Sequence, residues 1–300
     1  MGADMLAALP AGLALGSSYA LLAVGFTLVF GVLRRVNLAY GATVLLGIYG
    51  AIWLHQTLGI SPILMAPAVL AITLAAGVYV ERLCFAPHTR RPAVTSMAAS
   101  FAVWMQLEEF AVLMLPRHAY AFPSPFPRAT GLAASIGFRL EHLVALGCAV
   151  GVCAGFWVLL YRTRFGLAVR ALIESRQAAA CAGIDVPRVS ALIFSLASAL
   201  GAVAGYLIVS MDGQVMPMFA MWATLKGTVA AILGGLGSLP GAVAGGLLLG
   251  IVETFTQQLF GPQVRDLCSY VLLLAVLALC PSGLSAFWGG ADARRTATGA

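Results

Sequence analysis

Charged residues are scarce in this sequence, and their scarcity excludes an ordinary soluble domain. Only 9% of the 300 residues are Asp, Glu, Lys or Arg, whereas 61% are hydrophobic. Soluble domains are about 25% charged and about 45 to 50% apolar. The mean hydropathy is +0.96, and the long apolar runs show no strand-like alternation. We therefore predict an all-α, polytopic integral membrane protein.

Three further absences narrow the function. The six cysteines (84, 148, 153, 181, 268 and 280) form no C-x-x-C pair and have no histidine at ligand spacing, so we predict no metal site and no disulfide. No G-x-x-x-x-G-K-[ST] motif and no catalytic constellation occur, so the chain itself is predicted to be neither an enzyme nor a cofactor-binding protein. Asp4 stands where a signal peptide would carry basic residues, so the first apolar run is predicted to be retained.

The apolar runs predict about nine transmembrane helices in a single transmembrane domain over 1–300. A run of about 20 residues crosses a hydrocarbon core about 30 Å thick. The predicted spans are 8–32, 36–54, 62–80, 93–116, 143–161, 189–210, 221–237, 240–260 and 268–287. Eight or ten spans stay open, because GGLGSLPGAVAGG fits a turn between two spans or a break in a re-entrant element.

Basic residues concentrate on one side of this arrangement. They are Arg34, Arg35, Arg82, Arg90, Arg91, Arg162, Arg164, Arg170, Arg176, Arg188, Arg294 and Arg295. The other side has Arg117, Arg128, Arg139 and Arg265, with Lys226 near a span end. This imbalance predicts an amino terminus outside and a carboxyl terminus in the cytoplasm. The positive charge is then explained by insertion into a lipid bilayer, and no nucleic-acid partner is predicted.

Glycines recur at four-residue spacing in several spans. Examples are Gly12 and Gly16; Gly147, Gly151 and Gly155; Gly201 and Gly205; Gly241 and Gly245; Gly246 and Gly250. Such faces let helices approach closely in a bilayer. We expect the packing to lie within the chain rather than in a dimer interface.

The segment 162–188, RTRFGLAVRALIESRQAAACAGIDVPR, is the most polar part of the centre of the chain. Residues 166–182 are nearly all helix formers, and Gly183 followed by Ile184 suits a helix stop. A narrow apolar stripe predicts one short amphipathic helix outside the bilayer. Such a helix docks on the membrane surface or on a partner protein.

This segment also carries a resemblance. ESRQAAACAGI (174–184) resembles the coupling-helix signature of permease subunits in ABC importers. GLALGSSYALLAVGFTLVFGV (12–32), NLAYG (37–41), SFAVWMQLEEF (100–110), LKGTVAAILGGLGSLPGAVAGGLLLGIVE (225–253) and PSGL (281–284) extend the likeness over nearly the whole chain. Together they resemble the H-type inner-membrane permease of branched-chain amino acid ABC importers.

The resemblance implies a subunit that moves a small amino-acid-like solute across the bacterial inner membrane. Its partners would be a second, M-type permease, two cytoplasmic ABC ATPases that bind ATP and Mg²⁺, and a periplasmic substrate-binding protein. The residues carried over to ATPase coupling are Arg170, Glu174, Ala179, Gly183 and Ile184.

Polar residues inside spans supply the remaining candidates, because a charge at the bilayer centre costs about 2.5 to 3.5 kcal/mol. A substrate pathway is predicted to include Ser17, Ser18, Asn37, Tyr40, Gln106 and Glu108. For the neutral residues of the first two spans, hydrogen bonding to their own helix is an equal alternative. Lys226 and Glu253 are predicted to form a structural ion pair, in preference to contacting substrate.

Two departures from the family leave the substrate open. Relatives usually have a histidine and an acid where this chain has Tyr40 and Ala42, and commonly asparagine where it has Glu108. Urea, amides, other amino acids and aromatic acids are therefore alternatives to leucine, isoleucine and valine. Two other mechanisms are also open: an ion-coupled secondary transporter using Glu108, Glu109 and Glu253, and a passive channel.

Overall fold

The computed structural model describes residues 2–87, 92–116, 119–123, 140–279 and 283–284. Cys280, the distal part of the last predicted span, and Arg90, Arg91, Arg117, Arg128, Arg139, Arg294 and Arg295 lie outside the described residues. The helices are α1 (Gly2–Leu33), α2 (Tyr40–Leu58), α3 (Pro62–Val80), α4 (Ala93–Met114), α5 (Leu140–Arg162), α6 (Arg164–Glu174), α7 (Arg176–Cys181), α8 (Val186–Asp212), α9 (Phe219–Gly234), α10 (Leu239–Phe260) and α11 (Arg265–Leu279). A π-helical turn, Glu81–Phe85, continues α3.

The all-α membrane architecture is confirmed. Within the described ranges, seven helices are long and apolar enough to cross a membrane: Leu9–Leu33, Pro62–Phe85, Ala93–Met114, His142–Arg162, Val186–Asp212, Leu239–Phe260 and Pro262–Leu279. The other two predicted spans fall on α2, which has 19 residues, and on α9, which has 16. Sixteen residues rise about 24 Å, less than a hydrocarbon core of about 30 Å. The count of nine spans therefore stays a prediction.

The uncertain stretch between α9 and α10 is a turn. Helix α9 ends at Gly234 and α10 begins at Leu239, where Ser238 Oγ accepts a hydrogen bond from Gly241 N at 3.2 Å. Gly235 and Gly237 have φ of 98° and 94°, a region that favours glycine. The two helices then pack side by side along their length.

Helix α1 is the centre of the bundle and packs against α5, α8, α9 and α10. Its seam with α10 depends on glycine. A methyl group added to Gly16 would lie 2.9 Å from Leu247 Cα, and one added to Gly12 would lie 3.2 Å from Ile251 Cα. Van der Waals contact between the two backbones thus replaces side-chain interdigitation. These glycines pack within the chain, as expected.

One glycine series does not follow that expectation. A methyl group added to Gly147, Gly151 or Gly155 of α5 would meet no atom of the described chain within 4 Å. This face of α5 is directed away from the bundle. The interpretation as packing within the chain is wrong for these three residues, because α5 contacts its neighbours through its other side.

Two short strands were not predicted. Tyr120–Ala121 (β1) and Gln214–Val215 (β2) pair antiparallel, with Tyr120 opposite Val215, and Phe122 N donates to Gly213 O at 3.0 Å. The Tyr120 ring packs edge-on against Tyr49 of α2, with centroids 5.9 Å apart. The pair joins the residues after α4 to the end of α8. Strands of two residues are too short for an alternating pattern to be visible in sequence.

Candidate functional site

The segment 162–188, called here the coupling segment, contains two helices rather than the single helix predicted over 166–182. Helix α6 ends at Glu174 and α7 begins at Arg176. Ser175 between them has extended backbone (φ −153°, ψ 113°). Its N–H donates to Ala171 O at 3.0 Å, and its Oγ accepts from Ala178 N at 3.2 Å. The single-helix prediction is wrong because a serine can satisfy a helix start with its side chain, and so competes with continued helix.

The predicted helix stop at Gly183 is confirmed. Gly183 has φ 81° and donates to Ala180 O at 3.1 Å, and Ile184 N donates to Ala179 O at 3.1 Å. This pair of bonds is the Schellman motif, in which the left-handed residue is usually glycine. Asp185 then caps α8 by accepting from Arg188 N at 3.2 Å. Hydrogen bonds at both ends thus define the six-residue α7.

Helix α6 buries one side and α7 buries a single alanine. Val169 and Leu172 of α6 are buried, and the backbone of Leu160 lies so close to Gly166 that no larger residue fits there. In α7, Ala179 is 3% exposed. The residues around it are exposed and mostly small: Gln177, Ala178, Ala180, Cys181, Ala182 and Gly183. The coupling segment therefore presents a surface of small side chains that another protein can approach closely.

The five predicted coupling residues all lie at this end of the bundle, in different environments. Arg170, Glu174 and Gly183 are exposed, Ile184 is half-buried and Ala179 is buried. The Arg170 guanidinium lies over the Tyr161 ring, 5.3 Å from its centroid.

Two arginines, Arg176 at the start of α7 and Arg35 after the end of α1, influence each other through their charges. Burial, and secondarily the charge of Arg35, lower the pKa of Arg176, the first residue of α7. Arginine stays charged even so. Arg35 follows α1 and donates to Ser96 Oγ near the start of α4. The two like charges therefore lie close enough at this end of the bundle to influence each other.

A second set of charged and polar residues lies around the carboxyl-terminal half of α10. Lys226 of α9 and Glu253 of α10 are 0% exposed, and Lys226 Nζ contacts Glu253 Oε1. Ser269 of α11 accepts from Lys226 Nζ at 3.1 Å and donates to Glu253 Oε1. The two residues predicted as an ion pair are thus brought together by the antiparallel packing of α9 on α10.

Three residues not predicted from sequence complete this group. Arg265 Nε lies 2.9 Å from Glu253 Oε2, and Asp266 Oδ1 lies 2.8 Å from Lys226 Nζ. Tyr19 of α1 donates to Glu253 Oε2 at 2.7 Å and accepts from Arg265 Nη2 at 2.6 Å. We call these six residues the charge cluster: Tyr19, Lys226, Glu253, Arg265, Asp266 and Ser269.

The charge cluster holds four helices together and balances its own charge. Its two cations and two carboxylates sum to zero, and Glu253 accepts from Lys226, Arg265, Tyr19 and Ser269. The cluster is a structural connection of α1, α9, α10 and α11.

The predicted pathway residues do not share one cavity. Ser17 and Ser18 both donate to Ala14 O of their own helix, at 2.7 and 3.3 Å. Asn37 Oδ1 accepts from Ala39 N at 3.1 Å, in a turn that leads into α2. Ser17 alone of these three also borders a cavity, of about 460 Å³, between α1, α5 and α10.

Tyr40 is a packing residue in this conformation. It is 2% exposed and lies between Gly25 of α1 and Gly201 of α8, with its hydroxyl donating to Ala197 O at 3.1 Å. A methyl group added to Gly201 would lie 2.9 Å from the Tyr40 hydroxyl. The tyrosine therefore fills a space that two glycines leave open.

The polar residues of α4 lie elsewhere again. Gln106 Oε1 accepts from Tyr79 OH at 3.0 Å and borders a cavity of about 360 Å³ between α2, α3 and α4. Glu108 Oε2 accepts from Trp104 Nε1 at 2.6 Å, and Glu109 is exposed. The pathway role of the six residues stays a prediction, with their side chains divided among separate environments.

Comparison with known proteins decides the family. Residues 9–277 match the family described as branched-chain amino acid transport system / permease component. The chain belongs to that family. The permease is 32% identical over 285 residues to the high-affinity branched-chain amino acid transport system permease protein BraD of Pseudomonas aeruginosa, covering 91% of this chain and 93% of that one.

Two further relatives agree with the assignment. The permease is 30% identical over 285 residues to the permease protein LivH of Escherichia coli, with 91% and 92% of the chains covered. It is 27% identical over 277 residues to the probable LivH of Methanocaldococcus jannaschii, with 88% and 87% covered. The family resemblance noted in the sequence is therefore confirmed, and the ion-coupled alternative is not favoured.

Proposed function

We propose that this permease is the membrane subunit of an ABC importer that moves a small amino-acid-like solute, of the branched-chain type, into the bacterial cytoplasm. The solute class follows the printed names of its relatives. The observation that carries the proposal is the coupling segment, in which a capped two-helix unit exposes small side chains at one end of the bundle. ATP is hydrolysed on partner ATPases, and this chain supplies no catalytic group.

The mechanism is alternating access driven through α7. ATPase closure displaces α7, and the contacts of α7 with α6 and α8, and of α6 with α1 and α5, carry that displacement into the bundle. A partner changes the inward–outward equilibrium only through its different affinities for the two states. The exposed small surface supports a close protein contact at α7, because side chains as short as alanine let a groove reach the backbone.

The remaining partners are a second, M-type permease, two cytoplasmic ATPases and a periplasmic substrate-binding protein. The outward glycine face of α5 supports a second membrane subunit. Gly147, Gly151 and Gly155 repeat every fourth residue with open space beside each, which permits close approach by another helix. The distribution of arginines supports an amino terminus outside and a carboxyl terminus inside the inner membrane.

The test is co-purification with a matched glycine control. The tagged permease is extracted in mild detergent and its partners are identified by mass spectrometry. We expect two ATPases and a second permease with the wild type. Gly183→Trp should lose the ATPases and keep the second permease. Gly59→Trp is the control, because Gly59 is also left-handed (φ 64°) with open space around it, but follows α2 at the opposite end.

Two results contradict the proposal. If the Gly183→Trp variant retains the ATPases as well as the Gly59→Trp variant does, α7 is not part of the coupling interface. Recovery of the permease alone, under conditions that keep other membrane complexes intact, would favour the ion-coupled mechanism over the ABC importer. Uptake measured with an uncoupler at constant ATP then decides directly, since an ABC importer keeps its rate.

A further inference from the structure

An apolar cavity, distinct from the coupling segment, lies between α1, α5 and α10. Its volume is about 460 Å³, and its walls include Leu13, Val24, Ala149, Phe156, Val243 and Leu247. Ser17 is the one hydroxyl-bearing residue among its described lining residues, and that hydroxyl donates to Ala14 O. An amino acid placed here would leave its charged groups without partners, at a large cost. The cavity is suited to hydrocarbon.

The length of the cavity matches one leaflet of a bilayer. Its lining residues run from Leu146 to Trp157 along α5 and from Leu13 to Val24 along α1. Eleven residue steps rise about 16 Å, and half of a hydrocarbon core is about 15 Å. One end reaches Leu239 and Pro240, where α10 begins after the turn from α9. On the proposed orientation, this end is the cytoplasmic one.

Two aromatic rings and an arginine contact one another in sequence at the cytoplasmic end of the cavity. The ring of Trp157, which lines the cavity, stacks on Tyr161 with centroids 4.3 Å apart and planes at 27°. The Arg170 guanidinium lies 5.3 Å from the centre of the Tyr161 ring. Arg162 and Arg164, which follow Tyr161 closely in sequence, are also exposed. Aromatic rings mark the headgroup level of a membrane, and arginines there attract anionic lipids.

We propose that this cavity binds an acyl chain of an anionic phospholipid from the cytoplasmic leaflet, whose headgroup phosphate is held by Arg170 between Arg162 and Arg164. The charge of the arginines selects the headgroup, and the leaflet-length apolar slot selects the chain. Because Arg170 belongs to α6, the lipid connects the coupling segment to the bilayer. This site is separate from the transported solute and needs no substrate to be tested.

The first experiment measures lipid retention. The purified full-length complex is equilibrated with vesicles of equal phosphatidylglycerol and phosphatidylcholine, washed in detergent, and its bound lipids are quantified by mass spectrometry. We expect phosphatidylglycerol to be enriched several-fold. Ala149→Trp fills the cavity from a residue that is 2% exposed and should abolish the enrichment. Ala71→Trp, the same change at an exposed position of α3, should not.

The headgroup contact has its own matched pair. Arg170→Gln should reduce the enrichment several-fold, whereas Arg188→Gln should leave it unchanged. Arg188 is an exposed arginine of the same segment that is paired with Asp185 at 2.9 Å. Equal enrichment in Ala149→Trp, Arg170→Gln and the wild type would overturn the proposal. ATPase co-purification is scored in parallel for Ala149→Trp, which lies outside the predicted coupling residues, so loss of lipid with ATPases retained in that variant separates this site from the coupling function.

A fluorescence measurement covers the case in which Ala149→Trp fails to fold. In a variant that keeps Trp157 and has phenylalanine at the other tryptophans, lipids brominated on the acyl chain quench Trp157 when they enter the cavity. Brominated phosphatidylglycerol should reach half-quenching at a several-fold lower mole fraction than brominated phosphatidylcholine. Identical curves, or no quenching by either lipid because a second membrane subunit closes the cavity, would overturn the proposal.

Discussion

Helices α1 and α5 differ in a way that hydrophobicity does not explain. The apolar 18-residue stretch of α5 has mean hydropathy 2.4, and 22% of it is buried. The corresponding stretch of α1 has mean hydropathy 1.9, and 83% of it is buried. In water the more hydrophobic helix would be the inner one. In a bilayer the lipid is as apolar as leucine, so no hydrophobic force sorts the helices. Burial follows from small residues and polar partners instead.

The same contrast separates the rest of the bundle. In the apolar 18-residue stretch of each helix, the buried share is 72% for α8, 22% for α4 and 6% for α11. The most buried helices, α1 and α8, contribute glycines that pack closely against neighbouring helices, whereas the charge cluster attaches α11 without burying it. Helix α11 is attached chiefly at its first residues, through Arg265, Asp266 and Ser269. Polar contacts and backbone contacts are therefore what hold this protein together, and substitutions in the charge cluster, at the glycines and in the coupling segment test that view.

The largest effect is expected at the charge cluster. Glu253→Leu takes away the buried carboxylate that faces the buried Lys226, and breaking a buried pair costs about 3 to 5 kcal/mol. We expect loss of folded protein from the membrane, or a large fall in the melting temperature of the purified complex. Glu109→Leu is the control, because that carboxylate is exposed.

A double variant distinguishes charge balance from packing. Lys226→Met with Glu253→Leu removes one charge of each sign and should recover most of the lost stability. A double variant as unstable as Glu253→Leu would show that the individual hydrogen bonds, rather than the unpaired charge, decide the outcome.

A smaller effect on stability is expected from Gly→Ala substitutions. The change should be destabilising at Gly246 and stabilising at Gly151. At Gly246 the new methyl group would lie 2.8 Å from the Tyr19 backbone carbon and closer still to Ala20, so α1 and α10 must separate. Overpacking of this kind costs about 1 to 3 kcal/mol. Gly151→Ala meets nothing within 4 Å and should gain about 0.5 kcal/mol from lower backbone entropy. Melting temperatures of the isolated permease, in which no second subunit covers this face of α5, give the sign. Equal shifts at both positions would contradict the seam as described.

The smallest effect is expected at the joint of the coupling segment. Ser175→Ala removes the acceptor for Ala178 N and should destabilise α7 locally by about 1 kcal/mol. Faster amide hydrogen exchange at Ala178 measures this, while the melting temperature of the whole complex stays unchanged. Ser175→Asp restores an acceptor and should restore protection. If exchange in Ser175→Ala matches the wild type, packing rather than the cap holds α7.

Much of the fold was predictable because apolar length is a strong signal. The helix stop at Gly183 was also predictable, since glycine and the residue after it act locally. The break at Ser175 was missed because serine is tolerated within helices and the choice depends on its surroundings.

The sites were less predictable than the helices. Lys226 and Glu253 were visible as charges within apolar runs, but Arg265, Asp266 and Tyr19 were not connected to them, because Arg265 and Asp266 begin a helix and Tyr19 sits in an ordinary apolar run. The environment of Tyr40 was hidden for a related reason. Its position depends on Gly25 and Gly201, which are far from it in sequence.

The junction at Ser175 has a mechanical consequence. Helices α6 and α7 are separated by one residue, whose N–H completes the first helix and whose side chain starts the second. No loop is present between them to absorb a displacement. If both helices stay intact, any tilt of α7 relative to α6 must occur by rotation about the φ and ψ of this serine and its immediate neighbours. The coupling segment is thus a two-arm linkage with a single pivot, and the angle between its arms is the quantity that a partner can set.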